Sequence, residues 1–272
     1  MEKINFIKMH GLGNDFVIID NRQGNLTINN TLINKLSDRK SGAGCDQLIT
    51  INASKEIDIH AKIEIFNPNG DRAEACGNGT RCVAKLLFEE SDRDELQIQS
   101  DAGILYAKKI DSKNISVNLG KLSTNWKDIP LAREIDTLNI PININGFSNG
   151  VAVNIGNPHV VFFGQNIDEV DLKSIGLEIE HHELFPEKTN VEIVEIINKY
   201  TIKMRVWERG TGLTLACGSG ACASVFAGQI KNLLDNNVEV QLERGSLFIN
   251  IENNEATMKG PAEISFHGTL EV

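Results

Sequence analysis

Two cysteines stand in matching surroundings: Cys76-Gly77-Asn78-Gly79 and Cys217-Gly218-Ser219-Gly220 each place a thiol directly before a glycine-rich turn and an apolar, helix-like run. A thiol at the start of a helix faces unpaired backbone N–H groups and the positive end of the helix dipole. Both favour its thiolate and can bring its pKa from about 8.5 into the neutral range, where the sulfur can take up a proton. The glycines clear side chains from the turn and let the N–H groups close on an anion, for which a carboxylate is the natural guest. If both helix ends hold one carboxylate, the sulfurs stand on opposite sides of the adjoining carbon. One then removes a proton from one face while the other supplies a proton to the other face, which is racemisation without a cofactor. The carbon is a weak acid, and helix dipoles contribute only about 0.3–2 kcal/mol per terminus. Each tenfold in rate needs about 1.4 kcal/mol, so preorganised N–H donors in a water-excluded site have to supply most of the remainder.

The two cysteines belong to a longer internal match. Gly13-Asn14-Asp15-Phe16-Val17 lines up with Gly156-Asn157-Pro158-His159-Val160, Gln47-Leu48-Ile49 with Asn190-Val191-Glu192, and Asn67 with Glu208, each pair standing in the same order along the chain. A shift of about 140 residues is several times the period of a solenoid and reads as a duplicated domain. Alternating or β-branched stretches predict strands at Asn5 to Lys8, Phe16 to Asp20, Gln47 to Ile51, Ala61 to Phe66, Leu96 to Ser100, Leu105 to Ile110 and Ile115 to Leu119. The second half repeats the style at Val151 to Ile155, Val160 to Phe163, Val191 to Ile197, Thr201 to Trp207, Val238 to Glu243, Leu247 to Ile251 and Ala262 to Phe266. Helices are expected at Thr31 to Ser37, Gly79 to Glu89 and Gly220 to Leu234. The last opens with Ala221, Cys222, Ala223, Val225, Phe226 and Ala227 and is apolar on nearly every face, as only a buried helix can be. The expected fold is α+β: two pseudo-symmetric domains, each a curved sheet or barrel wrapped around one central helix with the thiol at its N-terminus. The chain turns polar between Gly120 and Pro130, where the domain boundary is expected, and Pro141 to Gly146 opens the second half's pattern.

Composition narrows the partners. The chain has 272 residues, enough for two cores, and a net charge of −10 with no basic cluster to follow a phosphate backbone, so nucleic acid is not an expected partner. The N-terminus lacks the apolar stretch of a signal peptide, and no run has the roughly 18 apolar residues of a membrane span. A soluble, cytoplasmic protein is expected, and the five scattered cysteines fit a reducing compartment. Cys82 and Cys222 read as core residues. Cys45 has Lys188 as its counterpart, which argues against a duplicated role for it. C-x-x-C spacing is missing, so no metal is expected. Gly11-Leu12-Gly13 lacks the third glycine and following helix of a dinucleotide site, and His181-His182 reads as a surface pair.

With these residues assembled, the sequence closely resembles the diaminopimelate epimerase family. The likeness runs through Lys8-Met9-His10-Gly11-Leu12-Gly13-Asn14-Asp15-Phe16, Gly44-Cys45-Asp46-Gln47, the Cys76 turn, Gly156-Asn157-Pro158-His159, Trp207-Glu208-Arg209-Gly210 and Ala216-Cys217-Gly218-Ser219-Gly220-Ala221-Cys222. The resemblance implies a pyridoxal-independent epimerase that interconverts LL- and meso-diaminopimelate in lysine and peptidoglycan precursor synthesis, commonly as a homodimer. It implies that Cys76 and Cys217 are the acid/base thiols and that the N–H groups of Gly77, Asn78, Gly218 and Ser219 hold the reacting carboxylate. Asn14, Gln47, Asn67, Asn157, Asn190 and Arg209 would read the substrate's polar groups, Glu208 would accept from an ammonium, and His159 and Glu208 would tune the thiols. It also places the last strand with the first domain, giving expected domains of 1–120 plus 260–272 and of 121–259.

Two departures from the family pattern, Asn69 with Asp71-Arg72 and Leu213, touch no residue with an implied role. From the residues alone, two other readings remain: a proline or hydroxyproline racemase built on the same paired thiols, and a redox protein in which Cys76 and Cys217 form a reversible disulfide.

Overall fold

The computed structural model describes residues 3–74 and 76–271. The chain divides into two compact units, Met1–Asn118 with Gly260–Val272, and Leu119–Lys259. The first contains β1 (Lys3–Gly11), β2 (Asn14–Asp20), α1 (Asn30–Ser37), β3 (Gln47–Asn52), β4 (Ala61–Phe66), β5 (Arg72–Ala73), α2 (Gly77–Glu89), β6 (Glu95–Ser100), β7 (Gly103–Lys109) and the start of β8 (Asn114–Lys121). Along this sheet β1 and β2 are antiparallel, β2 and β3 parallel, β3 and β4 antiparallel, β4 and β6 parallel, and β6, β7 and β8 antiparallel in turn.

The second unit contains β9 (Val151–Asn154), β10 (Pro158–Gly164), α3 (Leu172–Glu180), β11 (Asn190–Asn198), β12 (Thr201–Glu208), β13 (Gly212–Thr214), α4 (Gly218–Ile230), β14 (Asn237–Leu242), β15 (Gly245–Glu252) and most of β16 (Glu255–Pro261). Its pairings from β9 to β16 follow the same alternation: antiparallel, parallel, antiparallel, parallel, antiparallel, antiparallel. Even the registers correspond, with Phe16 opposite Gln47 and Leu48 opposite Phe66 in one unit, and His159 opposite Asn190 and Val191 opposite Trp207 in the other. The duplication read from residue spacing is thus also a duplication of hydrogen-bonded topology. The last strand, β17 (Glu263–Glu271), pairs antiparallel with β1 in the first unit.

Each sheet is covered on both faces, which explains why β3 and β11 read as near-continuous apolar runs. In the first unit Leu48 joins Val17, Ile19, Leu32, Ile33 and Leu36 in the core under α1. Its neighbour Ile49 turns the other way, toward α2. α2 packs on β1, β2, β6 and β7, and α4 on β9, β10, β11, β12 and β15, so each sheet curls about one helix. Both helices are buried along nearly their whole length, as the all-round apolar pattern of α4 requires.

One helix had no counterpart in the sequence reading. α3 carries Leu172, Ile175 and Ile179 on its buried face and is capped by Asp171, whose side chain accepts from the Ser174 N–H. Gly176 interrupts the run and weakens the helical signal. The reason for that glycine is tertiary, because a Cβ there would stand 2.5 Å from Cγ of Trp207. The stretch from Pro141 to Gly146 contributes only an isolated bridge, Ile144 to Phe147, while Ile140, Ile142 and Phe147 fill the core beneath α3.

Candidate active site

The two cysteines occupy the same local position in their units. Cys76 is the N-cap of α2, in extended conformation, and its sulfur accepts from the Gly79 N–H at 3.4 Å. Cys217 caps α4 in the same way, with the Gly220 N–H at 3.4 Å. A cap side chain satisfies one of the first-turn donors, and the others have no acceptor within the helix. Gly77 and Asn78, and Gly218 and Ser219, are the residues of those first turns. The third residue is glycine where space is tight: a Cβ at Gly79 would stand 2.5 Å from Cδ1 of Ile49, and one at Gly220 would stand 2.6 Å from Oε1 of Glu192, so either side chain would have to shift.

In the first unit Asn14, at the start of β2, directs its amide oxygen at Cys76 and Asn78. Asn78 Nδ2 donates to it at 3.2 Å, and the Cys76 Sγ lies 3.9 Å away. Gln47, at the start of β3, donates to Asn67 Oδ1 at 3.0 Å. In the second unit His159 on β10 is completely buried, with Nδ1 2.7 Å from Glu192 Oε1 and Nε2 2.9 Å from Asn157 Oδ1. Asn190 spends its side chain on the backbone, donating to Pro158 O at 2.8 Å and accepting from the Arg209 N–H at 2.9 Å. It therefore fixes Arg209, whose guanidinium donates to Glu187 O. Glu208, at the end of β12, accepts from the Thr214 hydroxyl, and the Ser219 hydroxyl stands 3.4 Å from the Cys217 sulfur. Within each unit the residues named from the sequence lie at the helix cap and at the ends of the strands beside it.

The thiol of Cys217 differs from what its helix position alone implies. Burial, followed by the negative charges of Glu208 and Glu192, pushes its pKa well above the ordinary value, against the smaller opposing help of the Ser219 hydroxyl and the Gly220 N–H. Cys217 is therefore a thiol at neutral pH. Cys82 is fully buried and pushed up to about 12 by desolvation. Cys45, also buried, is raised for the same reason and lies 3.5 Å from the Ser37 hydroxyl. The sign for stability follows, because a folded value above the ordinary 9.0 leaves the contribution intact below that pH and removes it as pH climbs toward 12. The urea midpoint is expected to fall over this interval, and to fall less steeply in Cys82→Val. Equilibrium unfolding at a series of alkaline pH values checks this.

Asp46, Glu192 and Thr214 went unremarked as functional residues in the sequence. Asp46 lies inside a quoted motif, and Glu192 is the one charged member of a repeat pair whose counterpart, Ile49, is apolar. The pair His181 and His182 closes α3, His181 as its exposed C-cap. Among the described residues no group of three or more His, Cys, Asp or Glu side chains is arranged to hold a metal ion, and no helix is long and apolar enough to cross a membrane.

The fold class is the two-unit α+β architecture also found in a crystal structure of a hydroxyproline epimerase from Agrobacterium vitis. That structure aligns with a TM-score of 0.73 at 11% identity, over 98% of this chain and 92% of that one. At the level of sequence the chain belongs to the diaminopimelate epimerase family, whose profile matches residues 6–124 and 151–265. It is 46% identical over 264 residues to the diaminopimelate epimerase of Pelagibacter ubique, with 95% of each chain covered. It is 44% identical to that of Zymomonas mobilis over 98% of this chain and 97% of the relative.

Proposed function

We propose that this chain interconverts LL- and meso-diaminopimelate without a cofactor, with Cys76 and Cys217 as the two acid/base groups. The observation that carries the reading is the pair of cap thiols at corresponding stations of a duplicated fold; membership of the family supports the substrate. The N–H groups of Gly77, Asn78, Gly218 and Ser219 bind the reacting carboxylate. Asn14, Gln47, Asn67, Asn157, Asn190 and Arg209 read the remaining polar groups, Glu208 accepts from an ammonium, and His159 and Glu208 set the surroundings of Cys217.

Cys217, held as a thiol, is the acid at rest, and Cys76 as thiolate is the base. Cys76 takes the α-proton and becomes a thiol while the electron pair of the broken C–H bond spreads into the carboxylate. The Cys217 S–H then delivers its proton to the opposite face and becomes a thiolate. The enzyme ends with the two protonation states exchanged, ready for the reverse reaction. Buried first-turn N–H donors aimed at the carboxylate stabilise the charge as it develops and need no reorganisation at that moment. The same reading makes the protein a cytoplasmic homodimer acting in lysine and peptidoglycan precursor synthesis.

Solvent deuterium entry at the α-carbon of diaminopimelate, with proline and hydroxyproline as competing substrates, tests the assignment. Exchange with diaminopimelate alone is expected, and exchange confined to the cyclic amino acids would overturn it.

A further inference from the structure

Asn14 and Asn157 are counterparts in the duplication, yet their amides are held in opposite senses. Asn157 gives its oxygen to His159. Asn14 gives its nitrogen to Asp46, with Nδ2 donating to Asp46 Oδ2 at 2.9 Å, and keeps its oxygen for Asn78 and Cys76. A carboxylate only accepts hydrogen bonds, so it can pair with the NH2 end of an amide and not with the carbonyl end. Asp46 is itself tightly placed. Its backbone N–H donates to Asp15 Oδ1 and to Asp15 O, its Oδ2 also accepts from the Asp15 N–H at 3.1 Å, and its Oδ1 accepts from Arg39 Nη2 at 2.7 Å. Asp15 is held in turn by Arg39 and by Lys8, whose ammonium also donates to Gly44 O. The position matching Asp46 in the second unit is Thr189, whose hydroxyl donates to the Asn190 carbonyl, so the device belongs to one unit only.

We propose that Asp46 is a positioning residue that acts through Asn14 on Cys76, fixing the amide so that an acceptor and never a donor faces the sulfur. This deepens the two-thiol reading and rests on it. An acceptor beside the sulfur pairs with S–H and repels S⁻, which raises the proton affinity of the base at the moment it takes a weakly acidic α-proton. If the amide turned, its NH2 would stabilise the thiolate and make Cys76 a weaker base. Other charged or titratable groups near this corner are Lys8 and His10 on β1, Asp15 on β2, Arg39 after α1, and Arg81 on α2. Asp46 is the charged group that hydrogen-bonds the Asn14 amide itself.

Asp46→Asn has nearly the same shape but accepts either end of the Asn14 amide. It is expected to lower kcat with little change in KM. It should also raise the rate of Cys76 alkylation by iodoacetamide at neutral pH by about 2- to 10-fold, the range of one lost hydrogen bond, as read by site-resolved mass spectrometry. The decisive comparison is with Asn14→Ala. If Asp46 acts through the amide, Asp46→Asn adds nothing further to either readout in the Asn14→Ala background. An additive effect there, as loss of a nearby charge alone would give, overturns the proposal, and so does an unchanged alkylation rate in the single variant. The alkylation readout needs no substrate, so it stands or falls separately from the assignment of diaminopimelate.

Discussion

Replacing Cys217 or Cys76 by alanine is expected to lower epimerisation by about 10²- to 10⁴-fold, the ordinary worth of one acid/base group, while leaving a folded protein. Inversion needs a proton carrier on each face, so the two losses should be similar and the double variant hardly worse than either single one, as for groups that act as a unit. The structural cost is modest. Each sulfur accepts one first-turn N–H, and loss of a cap costs about 0.5–2 kcal/mol. Chiral chromatography of the product, with urea unfolding of the same preparations, separates a dead site from a lost fold. Full turnover by either single variant would sink the two-base scheme.

The second large effect concerns stability. His159 and Glu192 are both completely buried, with Nδ1 2.7 Å from Oε1, and Glu192 Oε2 has no hydrogen-bond partner among the described residues. His159→Phe is expected to destabilise the protein by about 3–5 kcal/mol, since it leaves a buried carboxylate uncompensated. The remedy is already present in the molecule. The positions equivalent to His159 and Glu192 are Phe16 and Ile49, both fully buried, and both lie within reach of a Cβ at the corresponding helix glycine, Gly79. The double variant His159→Phe with Glu192→Ile copies that apolar pair and should recover most of the loss, as replacing both members of a buried pair commonly does. It should remain catalytically impaired, because Asn157 then has no donor on its oxygen. Urea midpoints of the wild type and of the single and double variants measure the recovery; a double variant no more stable than His159→Phe would show that the second unit cannot use the first unit's packing.

Much of this was legible in the residues and some was not. The cap cysteines, the matched stations of Gln47 and Asn190 in the repeat, and the buried character of α4 were all open to reading in the residues, whereas the parallel pairing that sets those two at their strand ends was not. Local pattern misled on α3, because Gly176 exists to admit Trp207, and it overlooked β16, whose polar alternation around Thr257 and Lys259 carries little apolar signal. It also could not say which of the two sulfurs rests protonated, because the helix end is common to both. The dominant influences at Cys217 are burial and carboxylates from β11 and the end of β12, which no reading along the chain can bring to the sulfur. Asp46 is a similar case: its importance lies in which end of an amide it pairs with, and spacing does not encode that.

The unlike floors beneath the two helix caps, aromatic and aliphatic in one lobe and imidazole with carboxylate in the other, have a bearing on how successive turnovers connect. A catalyst with two interchangeable sulfurs would greet either stereoisomer equally well. One with distinguishable sulfurs rests in a preferred charge state, which suits one isomer on arrival, and each forward cycle leaves it in the other state. Returning to rest then requires either a reverse cycle or an exchange of hydrons with water, so under heavy one-way flux the unloaded enzyme's own recovery becomes part of the clock.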